Sequence, residues 1–392
     1  EVRTQAVSQP VVPREYSRSE FAAALAPRVD SLLRHSVADS AFPGAFAVIG
    51  DTGGVLVETS AGHLDWAPSP APDRHTLWDL ASLTKVIATT TLAAQLVERG
   101  AVDLDAPVQR YLPGWTGPGK EAVTVRHLLT HTSGLPSFRP YDRQTHDPDS
   151  LATLLFETDL ERAPGARMVY SDIGAFVLGR VVEAVGGARL DTPARREIFE
   201  PLAMHETMFT PGAELVPRIA PTEIDTARGG LVRGMVHDER AYYLGGVAAH
   251  AGLFSSGADL ARFAEMMLRG GSLDGRRVLA PHTVARFTAY ADSATTNRAL
   301  GWQKPEHEGM RDRFPSSSWE GSGMSSSAYG HTGFTGTSIA IDPKLGLYVI
   351  LLTNRVNPTR NNPRISAVRR SLANLVKETA AQFSPTRTDG HR

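Results

Sequence analysis

Residues 82–85 read Ser82-Leu83-Thr84-Lys85, the one place in the chain where a serine stands three residues before a lysine. They open a predicted helix that runs from about Ser82 to Arg99 and ends before Gly100. Residues three apart on a helix share a face, so the lysine amine can reach the serine hydroxyl. Serine needs a neighbouring base because its hydroxyl is protonated at neutral pH, and a desolvated lysine with a lowered pKa can supply one.

The N-terminus of this helix adds backbone N–H donors and a positive dipole end, which can stabilise an oxyanion. The alternative interpretation is a helix cap, Ser82, followed by a solvated lysine. Lys85 stands in an otherwise apolar helix, where an unpaired ammonium is costly. That cost favours a chemical role for the pair.

The composition limits the classes of protein to consider. With 392 residues, of which 41% are hydrophobic and 21% charged, the chain is typical of a folded protein with one large domain or two interleaved ones. The 41 basic and 42 acidic side chains leave a formal net charge of -1, so no basic field is available to hold nucleic acid. No stretch of about 18 apolar residues occurs, and we expect no transmembrane segment.

The chain contains no cysteine, which removes disulfides, thiolate zinc sites and a cysteine nucleophile together. It opens at Glu1 without an initiator Met and continues through a polar, Pro-containing stretch to about Arg18. A mature chain has this appearance after removal of a signal peptide. We therefore expect an exported protein, periplasmic or secreted.

The apolar pattern predicts strands near both ends of the chain and helices between them. A helix over about 19–36 precedes a hairpin with strands at Ala45–Ile49 and Val55–Thr59. From the end of the helix at Arg99 to about residue 250 we expect helices and long loops without a strand pair. A helix at 256–269, strands at Thr335–Ile341 and Leu347–Thr353, and a last amphipathic helix follow.

This order of elements predicts an α/β domain built from both chain ends around an all-α domain. The predicted boundaries are an N-terminal tail at 1–18, an α/β domain at 19–66 and 251–392, and a helical domain at 67–250.

Other candidate motifs are weaker. The G-x-S-x-G elbow of α/β-hydrolases is absent from the sequence, which disfavours a catalytic triad of that kind. His127 and His131 stand four residues apart without the glutamate of H-E-x-x-H, so we prefer packing or capping over a zinc site. The cluster His237-Asp238-Glu239 either lines a site or lies in a solvated loop.

Two further clusters complete a pattern. Tyr170-Ser171-Asp172 opens a predicted helix, and His331-Thr332-Gly333 is predicted to open a strand about 250 residues after Ser82. With Ser82-Leu83-Thr84-Lys85 they resemble the Y-x-N, K-T-G and S-x-x-K motifs of the penicillin-recognising serine hydrolases, the superfamily of class C β-lactamases, D,D-peptidases and related esterases. The segments 127–136 and 252–256 resemble the same family, and the resemblance covers roughly residues 20–380.

The resemblance implies a β-lactamase-like fold, α/β plus all-α, in which an antiparallel sheet is flanked by helices from both chain ends and a helical domain is inserted. It implies that Ser82 is the nucleophile and that Lys85 is its base or proton partner. Tyr170 would shuttle the proton to the leaving group and activate the deacylating water. No metal and no organic cofactor are implied.

The same resemblance implies the rest of the site. The backbone N–H groups of Ser82 and Phe334 would form the oxyanion hole. His331, Thr332 and Gly333 would bind the substrate, with His331 and Thr332 at its carboxylate. Asp172 occupies the substrate-binding position of the second motif.

Two of these residues depart from the family's motifs. His331 replaces the lysine of K-T-G, as in D,D-peptidases and esterases of the superfamily, and it carries full charge only below its own pKa. We therefore expect recognition of carboxylated substrates to weaken between about pH 6 and 8. Asp172 replaces the asparagine of Y-x-N, which removes an amide donor and adds a charge. For Asp172, a helix N-cap and a substrate contact are both open. A buried core tyrosine and a strand-end histidine are the alternatives for Tyr170 and His331.

We expect a serine hydrolase that forms an acyl-enzyme on β-lactams or D-alanyl peptides, with a small-molecule or peptide substrate and without nucleic acid as a partner. A carboxylesterase that acts on short acyl esters is one alternative. A penicillin-binding sensor that acylates without turnover is the other.

Overall fold

The computed structural model of the protein describes residues 17–291, 296–305, 319 and 324–383. Most of the predicted tail at 1–18 lies outside the described residues, as do 384–392 of the predicted α/β domain. The division into domains stays a prediction.

The strands of the described residues form one five-stranded antiparallel sheet and three smaller sheets. In chain order they are β1 (Gly44–Asp51), β2 (Gly54–Gly62), β3 (Trp78–Asp79), β4 (Met208–Phe209), β5 (Ile224–Asp225), β6 (Gly230–Leu231), β7 (Leu253–Ser255), β8 (Ser272–Leu273), β9 (Arg276–Arg277), β10 (Tyr329–Thr332), β11 (Ser338–Asp342) and β12 (Leu347–Thr353). The large sheet has the order β10-β11-β12-β1-β2, so strands from the two ends of the chain meet inside it.

Some α-helices of the described residues pack against this sheet, and the others come from the middle of the chain. In chain order they are α1 (Arg18–Ala38), α2 (Thr91–Glu98), α3 (Val125–Leu129), α4 (Pro148–Glu157), α5 (Asp172–Gly186), α6 (Asp191–Ala194), α7 (Glu239–Tyr243), α8 (Gly257–Leu268), α9 (Pro281–Thr288) and α10 (Ile365–Gln382). None of the helices in the described part of the chain is both long and apolar enough to cross a membrane.

The two faces of the large sheet bury different side chains because residues along a strand alternate in direction. On β1, Ala47 and Ile49 belong to the apolar cluster that includes α1 and α10. Phe46 and Val48 belong to a second cluster, which includes α8 and continues into the helical region. The sheet is therefore covered by helices on both faces, as predicted.

Several predicted elements are confirmed. The hairpin of β1 and β2 spans the predicted strands. The predicted helix at 256–269 is α8, and the hydroxyl of Ser256 caps it by accepting the N–H of Asp259 at 3.2 Å.

The prediction that no strands pair before about residue 250 was wrong. Strand β4 pairs with β7, and β5 pairs with β6. Each of these pairings involves only two residues of the earlier strand, which is too short to produce an alternating apolar pattern.

The position of the third motif in its strand was also wrong. His331 and Thr332 end β10 instead of opening a strand, and the next strand, β11, begins at Ser338. Between them lies a tight turn over residues 333–337, closed by the N–H of Gly333 donating to the carbonyl of Thr337 at 2.7 Å. The β-branched residues Thr335 and Thr337 gave this turn the propensity of a strand.

The helix that follows Ser82 begins differently from an ordinary α-helix. Residues Lys85–Thr90 form a π-helical turn, and α2 continues from Thr91. The hydroxyl of Thr91 donates to the carbonyl of Val86, five residues earlier, at 2.9 Å. Such turns often accompany functional sites, and this one carries Lys85.

Candidate active site

One cavity brings together most of the site residues expected from the sequence. It has a volume of about 480 Å³ and lies between the loop before α5, the turn after β10 and the start of α10. The expected site residues in its wall are Ser82, Tyr170, His331, Thr332, Gly333 and Phe334. Lys85 and Asp172 lie behind this wall, with side chains that are 5% and 21% exposed.

Ser82 lies in a tight turn between β3 and the π-helical turn. Ala81 has a φ of +46°, in the left-handed region that L-residues rarely adopt. Its N–H is held by the carboxylate of Asp79 at 2.8 Å, and the N–H of Leu83 donates to the carbonyl of Leu80 at 3.1 Å. This strained, hydrogen-bonded turn places Ser82 in the cavity wall.

The ammonium of Lys85 makes two hydrogen bonds and one ion pair inside the protein. Its Nζ lies 3.0 Å from the hydroxyl of Ser82, 2.9 Å from the carbonyl of His250 and 2.8 Å from Oδ1 of Asp172. The expected contact between amine and hydroxyl is therefore present. The solvated-lysine alternative is wrong because the side chain is buried.

The protonation of Lys85 differs from the sequence-based expectation. Burial lowers the pKa of Lys85, but the carboxylate of Asp172 and the phenol of Tyr170 outweigh burial, and the pKa is raised. Lys85 is thus an ammonium at neutral pH, so the expectation of a lysine with a lowered pKa was wrong.

Asp172 is the first residue of α5, but it does not cap the helix. The N-cap is Ser171, whose hydroxyl accepts the N–H of Gly174 at 2.9 Å. The two carboxylate oxygens of Asp172 contact Lys85 at 2.8 Å and the guanidinium of Arg240 at 2.8 Å. The capping alternative is therefore wrong, and Asp172 is the counter-ion of the buried lysine.

A second layer of charges lies behind Asp172. Arg240 also contacts the carboxylate of Asp238 at 3.3 Å. The same carboxylate lies 2.9 Å from Nε2 of His250, within hydrogen-bond distance. Burial raises the pKa of Asp172, but Lys85, His250 and Arg240 outweigh burial and lower it to about 2. Asp172 is therefore ionised at every physiological pH. The sequence analysis singled out Asp238 but missed Arg240 and His250, which stand in no recognisable motif.

Tyr170 lies between two histidine rings, with ring centroids 4.6 Å from His131 and 6.0 Å from His331. Its ring is flanked by two cations, since Nζ of Lys85 and the guanidinium carbon of Arg298 lie 5.0 and 5.1 Å from the ring centroid. Its buried hydroxyl has no hydrogen-bond partner of ordinary geometry among the described residues. A buried hydroxyl left without a partner in a cavity wall is typical of a group that bonds to substrate.

His331 is a neutral side chain in this structure. Burial, together with Arg298 and Lys85, holds its pKa well below the usual value of a histidine. Its Nδ1 lies 2.9 Å from the carbonyl of Thr332, which assigns the proton to Nδ1 and leaves Nε2 to face Nη1 of Arg298 at 3.5 Å. The expectation that His331 is charged near pH 6 and loses this charge towards pH 8 was therefore wrong.

Arg298 is the cation that the sequence analysis missed. Only 3% of this residue is exposed, and it lines the cavity beside Tyr170 and His331. Burial lowers the pKa of Arg298 to about 10, opposed by Tyr170, so it is protonated at neutral pH. Within the described ranges, no carboxylate forms an ion pair with it. No local sequence signal marks this arginine, because it lies in a loop between elements.

The two backbone groups expected to form an oxyanion hole are available. Among the described residues, neither the N–H of Ser82 nor that of Phe334 is used in a hydrogen bond. Thr335 and Thr337 donate their hydroxyls to the carbonyls of Asp79 and Leu80 at 2.7 and 3.0 Å, which ties the turn of Phe334 to the turn of Ser82. Gly333 is required between them, since a Cβ there would lie 2.4 Å from the carbonyl oxygen of Leu80.

The remaining histidines have structural partners. Nδ1 of His127 accepts the N–H of Thr124 at 3.2 Å and caps α3, while Nδ1 of His131 accepts the N–H of Ser171 at 3.1 Å. The expectation of capping or packing is thus confirmed for both. In the described part of the chain, no group of three or more histidine, cysteine, aspartate or glutamate side chains is placed to hold a metal ion.

The cluster His237-Asp238-Glu239 is not a solvated loop. His237 is buried, lies 3.0 Å from the carboxylate of Glu223 and stacks on Phe334 with ring centroids 5.7 Å apart. Glu239 pairs with Arg360. The cluster therefore supports the cavity wall from behind.

We predict that ionisation of the Asp172 carboxylate makes the free energy of unfolding depend on pH in the acidic range. Its pKa is about 2 in the folded protein and close to 3.9 when unfolded, so it stabilises the fold above about pH 4 and this stabilisation is lost as the pH falls towards 2. The difference in unfolding free energy between the wild type and Asp172→Asn should therefore shrink over that interval. Denaturant titrations at each pH measure it, with the exposed residue Asp39, as Asp39→Asn, as the control. A constant difference would contradict the ion pair.

Comparison with known proteins places the fold in a family. The family model described as Beta-lactamase matches residues 29–374. A "Putative D-alanyl-D-alanine carboxypeptidase" of Salmonella enteritidis PT4 (strain P125109) is 32% identical over 319 residues, which cover 74% of this chain and 72% of that protein. An "N-acetylmuramyl-L-alanine amidase" of Bacillus subtilis (strain 168) is 33% identical over 363 residues, 84% of this chain and 80% of that protein.

Among solved structures, EstCE1, described as a hydrolase with promiscuous acyltransferase activity, superposes with a TM-score of 0.70 at 22% identity. The match covers 90% of this chain and 100% of that one. The β-lactamase-like fold expected from the sequence is confirmed. The chain belongs to the Beta-lactamase family and is a serine hydrolase.

Proposed function

We propose that the protein hydrolyses an acyl compound that bears a free carboxylate, a D-alanyl peptide or a β-lactam, through an acyl-enzyme on Ser82. The observation that carries this proposal is Arg298, a buried cation without a carboxylate partner among the described residues, in the cavity wall that also holds Ser82. A buried cation that is not paired within the protein is costly, and a substrate carboxylate would offset that cost.

In the first step, the oxygen of Ser82 attacks the carbonyl carbon and its proton leaves to the pair formed by Lys85 and Tyr170. Because Asp172 keeps Lys85 as an ammonium, we assign the accepting atom to the oxygen of Tyr170, which enters this step as a phenolate after its own proton has left to solvent. The negative charge of that phenolate is stabilised by the two cations that flank the ring, Lys85 and Arg298, until the proton from Ser82 neutralises it.

The tetrahedral intermediate places its negative oxygen against the N–H groups of Ser82 and Phe334. Collapse of the intermediate breaks the bond to the leaving nitrogen, which receives the proton from Tyr170. A water molecule then gives its proton to the same oxygen and attacks the acyl carbon, and Ser82 is released with a proton. Every proton thus passes through one relay, and no metal is needed for this sequence.

The relatives support an amide substrate. The two curated relatives carry the names of a D-alanyl-D-alanine carboxypeptidase and of an N-acetylmuramyl-L-alanine amidase, both of which describe cleavage of an amide bond next to alanine. The proposal includes export, since N-acetylmuramyl compounds belong to the bacterial cell wall. Activity on short esters is the second candidate, because Asp172 cannot donate a hydrogen bond to the acylamino carbonyl of a peptide or β-lactam.

One comparison separates these activities. The rates of hydrolysis of a D-Ala-D-Ala peptide, a chromogenic cephalosporin and a p-nitrophenyl ester are measured side by side, and the intact mass of the protein is read in each mixture. Turnover of the peptide or cephalosporin supports the proposal. Turnover of the ester alone identifies an esterase, and a stable adduct without turnover identifies a penicillin-binding sensor.

We predict that Ser82→Ala abolishes covalent labelling by β-lactam or fluorophosphonate probes, because Ser82 is the serine of the described residues whose hydroxyl is hydrogen-bonded to Lys85. Ser366→Ala is the matched control, since Ser366 lines the same cavity and should label as the wild type does. Mass spectrometry of the intact protein measures the adduct. Labelling of Ser82→Ala at the wild-type rate would refute the assignment of the nucleophile.

We predict that Arg298→Gln raises KM for a D-Ala-D-Ala peptide by about tenfold or more, because a charge-assisted hydrogen bond of roughly 1.5–3 kcal/mol is lost. The same peptide with a C-terminal amide should be nearly unaffected. In the wild type, KM for the carboxylated peptide should stay flat from pH 6 to 8, because His331 is neutral and Arg298 charged throughout.

Steady-state kinetics on the two peptides check this, with the exposed residue Arg276, as Arg276→Gln, as the control. An equal rise in KM for the carboxylate and the amide would show that Arg298 does not bind the carboxylate. A rise in KM with pH confined to the carboxylated peptide would restore His331 to that role.

For Asp172→Asn we predict a loss of kcat of about tenfold or more on peptide and ester substrates alike. The change leaves two buried cations, Lys85 and Arg240, without their shared carboxylate, which disturbs the relay for every substrate. The missing amide donor at this position, noted in the sequence analysis, gives the contrary expectation that the asparagine would selectively favour acylamino substrates. A gain on an acylamino β-lactam relative to a p-nitrophenyl ester would support that earlier expectation instead.

A further inference from the structure

Two arginines hold the turn that carries Phe334. From α10, Nη2 of Arg369 donates to the carbonyls of Gly333 and Thr337 at 2.8 and 2.7 Å. From the segment after β12, Nε of Arg355 donates to the carbonyl of Phe334 at 2.8 Å. The carbonyl oxygens of Gly333, Phe334 and Thr337 therefore accept hydrogen bonds from two guanidinium groups, which line the same cavity as Ser82.

The bond from Arg369 to Gly333 acts on one particular peptide group. The carbonyl of Gly333 and the N–H of Phe334 belong to the same planar unit, so fixing the oxygen also fixes the direction of the N–H. A cation at the oxygen draws electron density from the unit and makes its N–H a stronger donor. The group affected is one of the two N–H groups of the proposed oxyanion hole.

The opposite side of the same turn is tied to the nucleophile's turn. The hydroxyls of Thr335 and Thr337 bond to the carbonyls of Asp79 and Leu80, directly before Ser82. The turn is thus held by the guanidinium of Arg369 and, at separate bonds, by two buried hydroxyls. The separation of the two N–H donors is set by this frame, because no ladder of sheet hydrogen bonds connects Ser82 to Phe334.

Burial of the Arg369 guanidinium is energetically costly. The residue is 6% exposed, and burial together with the neighbouring Arg355 lowers its pKa to about 9, so it remains charged at neutral pH. One nitrogen of the guanidinium, Nη2, lies between the two carbonyls at 2.7 and 2.8 Å, and the rigid plane of the group fixes the direction of its N–H bonds. An ammonium on a flexible stem would hold the peptide less firmly.

We propose that Arg369 is a positioning residue of the active site: its guanidinium orients and polarises the Gly333–Phe334 peptide, so that the N–H of Phe334 binds the oxyanion of the transition state. This inference rests on the proposed acyl-enzyme function of Ser82. It assigns to α10 a part in catalysis beyond its packing against α1 and the sheet.

The test compares Arg369→Met and Arg369→Lys with a matched control. Arg228 is also a buried arginine that donates to two backbone carbonyls, those of Val236 and His237, both at 2.9 Å, and Arg228→Met is that control. For each variant we measure kcat and KM on a p-nitrophenyl ester, the inhibition constant of phenylboronic acid, and Tm. The boronate forms a tetrahedral adduct with a serine and reports on the oxyanion hole, whereas KM reports on ground-state binding.

For Arg369→Met we expect kcat to fall by about 10²-fold and the boronate inhibition constant to rise in parallel, with KM changed less than about threefold. Arg369→Lys should lie between this variant and the wild type. Arg228→Met should change Tm without this loss of boronate affinity. If Arg369→Met does not fold, the test rests on Arg369→Lys, which keeps the charge. That variant should show a smaller fall in kcat and a smaller rise in the boronate inhibition constant.

Two failures are distinguishable. If the wild type binds boronate through Ser82 but the Arg369 variants bind it within about twofold of Arg228→Met, Arg369 has only a structural role and this inference is wrong. If the wild type forms no adduct, or Ser82→Ala binds boronate equally well, the proposed function itself fails, and the inference falls with it.

Discussion

A buried ammonium group, that of Lys85, determines much of what surrounds Ser82. Its charge would be prohibitively costly in an apolar helix unless polar groups compensated it. The carbonyl of His250 and the hydroxyl of Ser82 accept its hydrogen bonds, and the carboxylate of Asp172 pairs with its charge. Because they come from three distant parts of the chain, meeting this one requirement brings α5, the loop before β7 and the turn of Ser82 together.

The charges behind Lys85 alternate in sign from one layer to the next. The carboxylate of Asp172 lies between Lys85 and Arg240, and Arg240 lies between Asp172 and Asp238. Asp172 and Arg240 are thereby each compensated on two sides, and such pairing is the condition under which buried ions are tolerated. On the cavity side the pattern changes, since Arg298 has no carboxylate partner among the described residues, and a substrate carboxylate is the partner that we propose for it.

The sequence was informative where function depends on local spacing. The offset between Ser82 and Lys85 predicted their contact, and the three motifs indicated which segments converge on one cavity. It was uninformative about Arg298, Arg240 and Arg369, because their roles depend on neighbours brought close only by folding. The charge state of His331 was misjudged for the same reason: its pKa depends on burial and on two cations that no local pattern reveals.

The hydrogen-bonded frame that joins residues 79–82 to 333–337 also determines when the site can form during synthesis of the chain. The ribosome makes Ser82 and Lys85 first, and about 290 residues separate Ser82 from Arg369. At about 5–20 residues per second, synthesis of that interval takes roughly 15 to 60 s. Until the end of that period the nascent chain carries Ser82 and Lys85 without the helix whose Arg369 holds the turn of Phe334. The peptide that we propose for the oxyanion hole is therefore held in place only once α10 has been made.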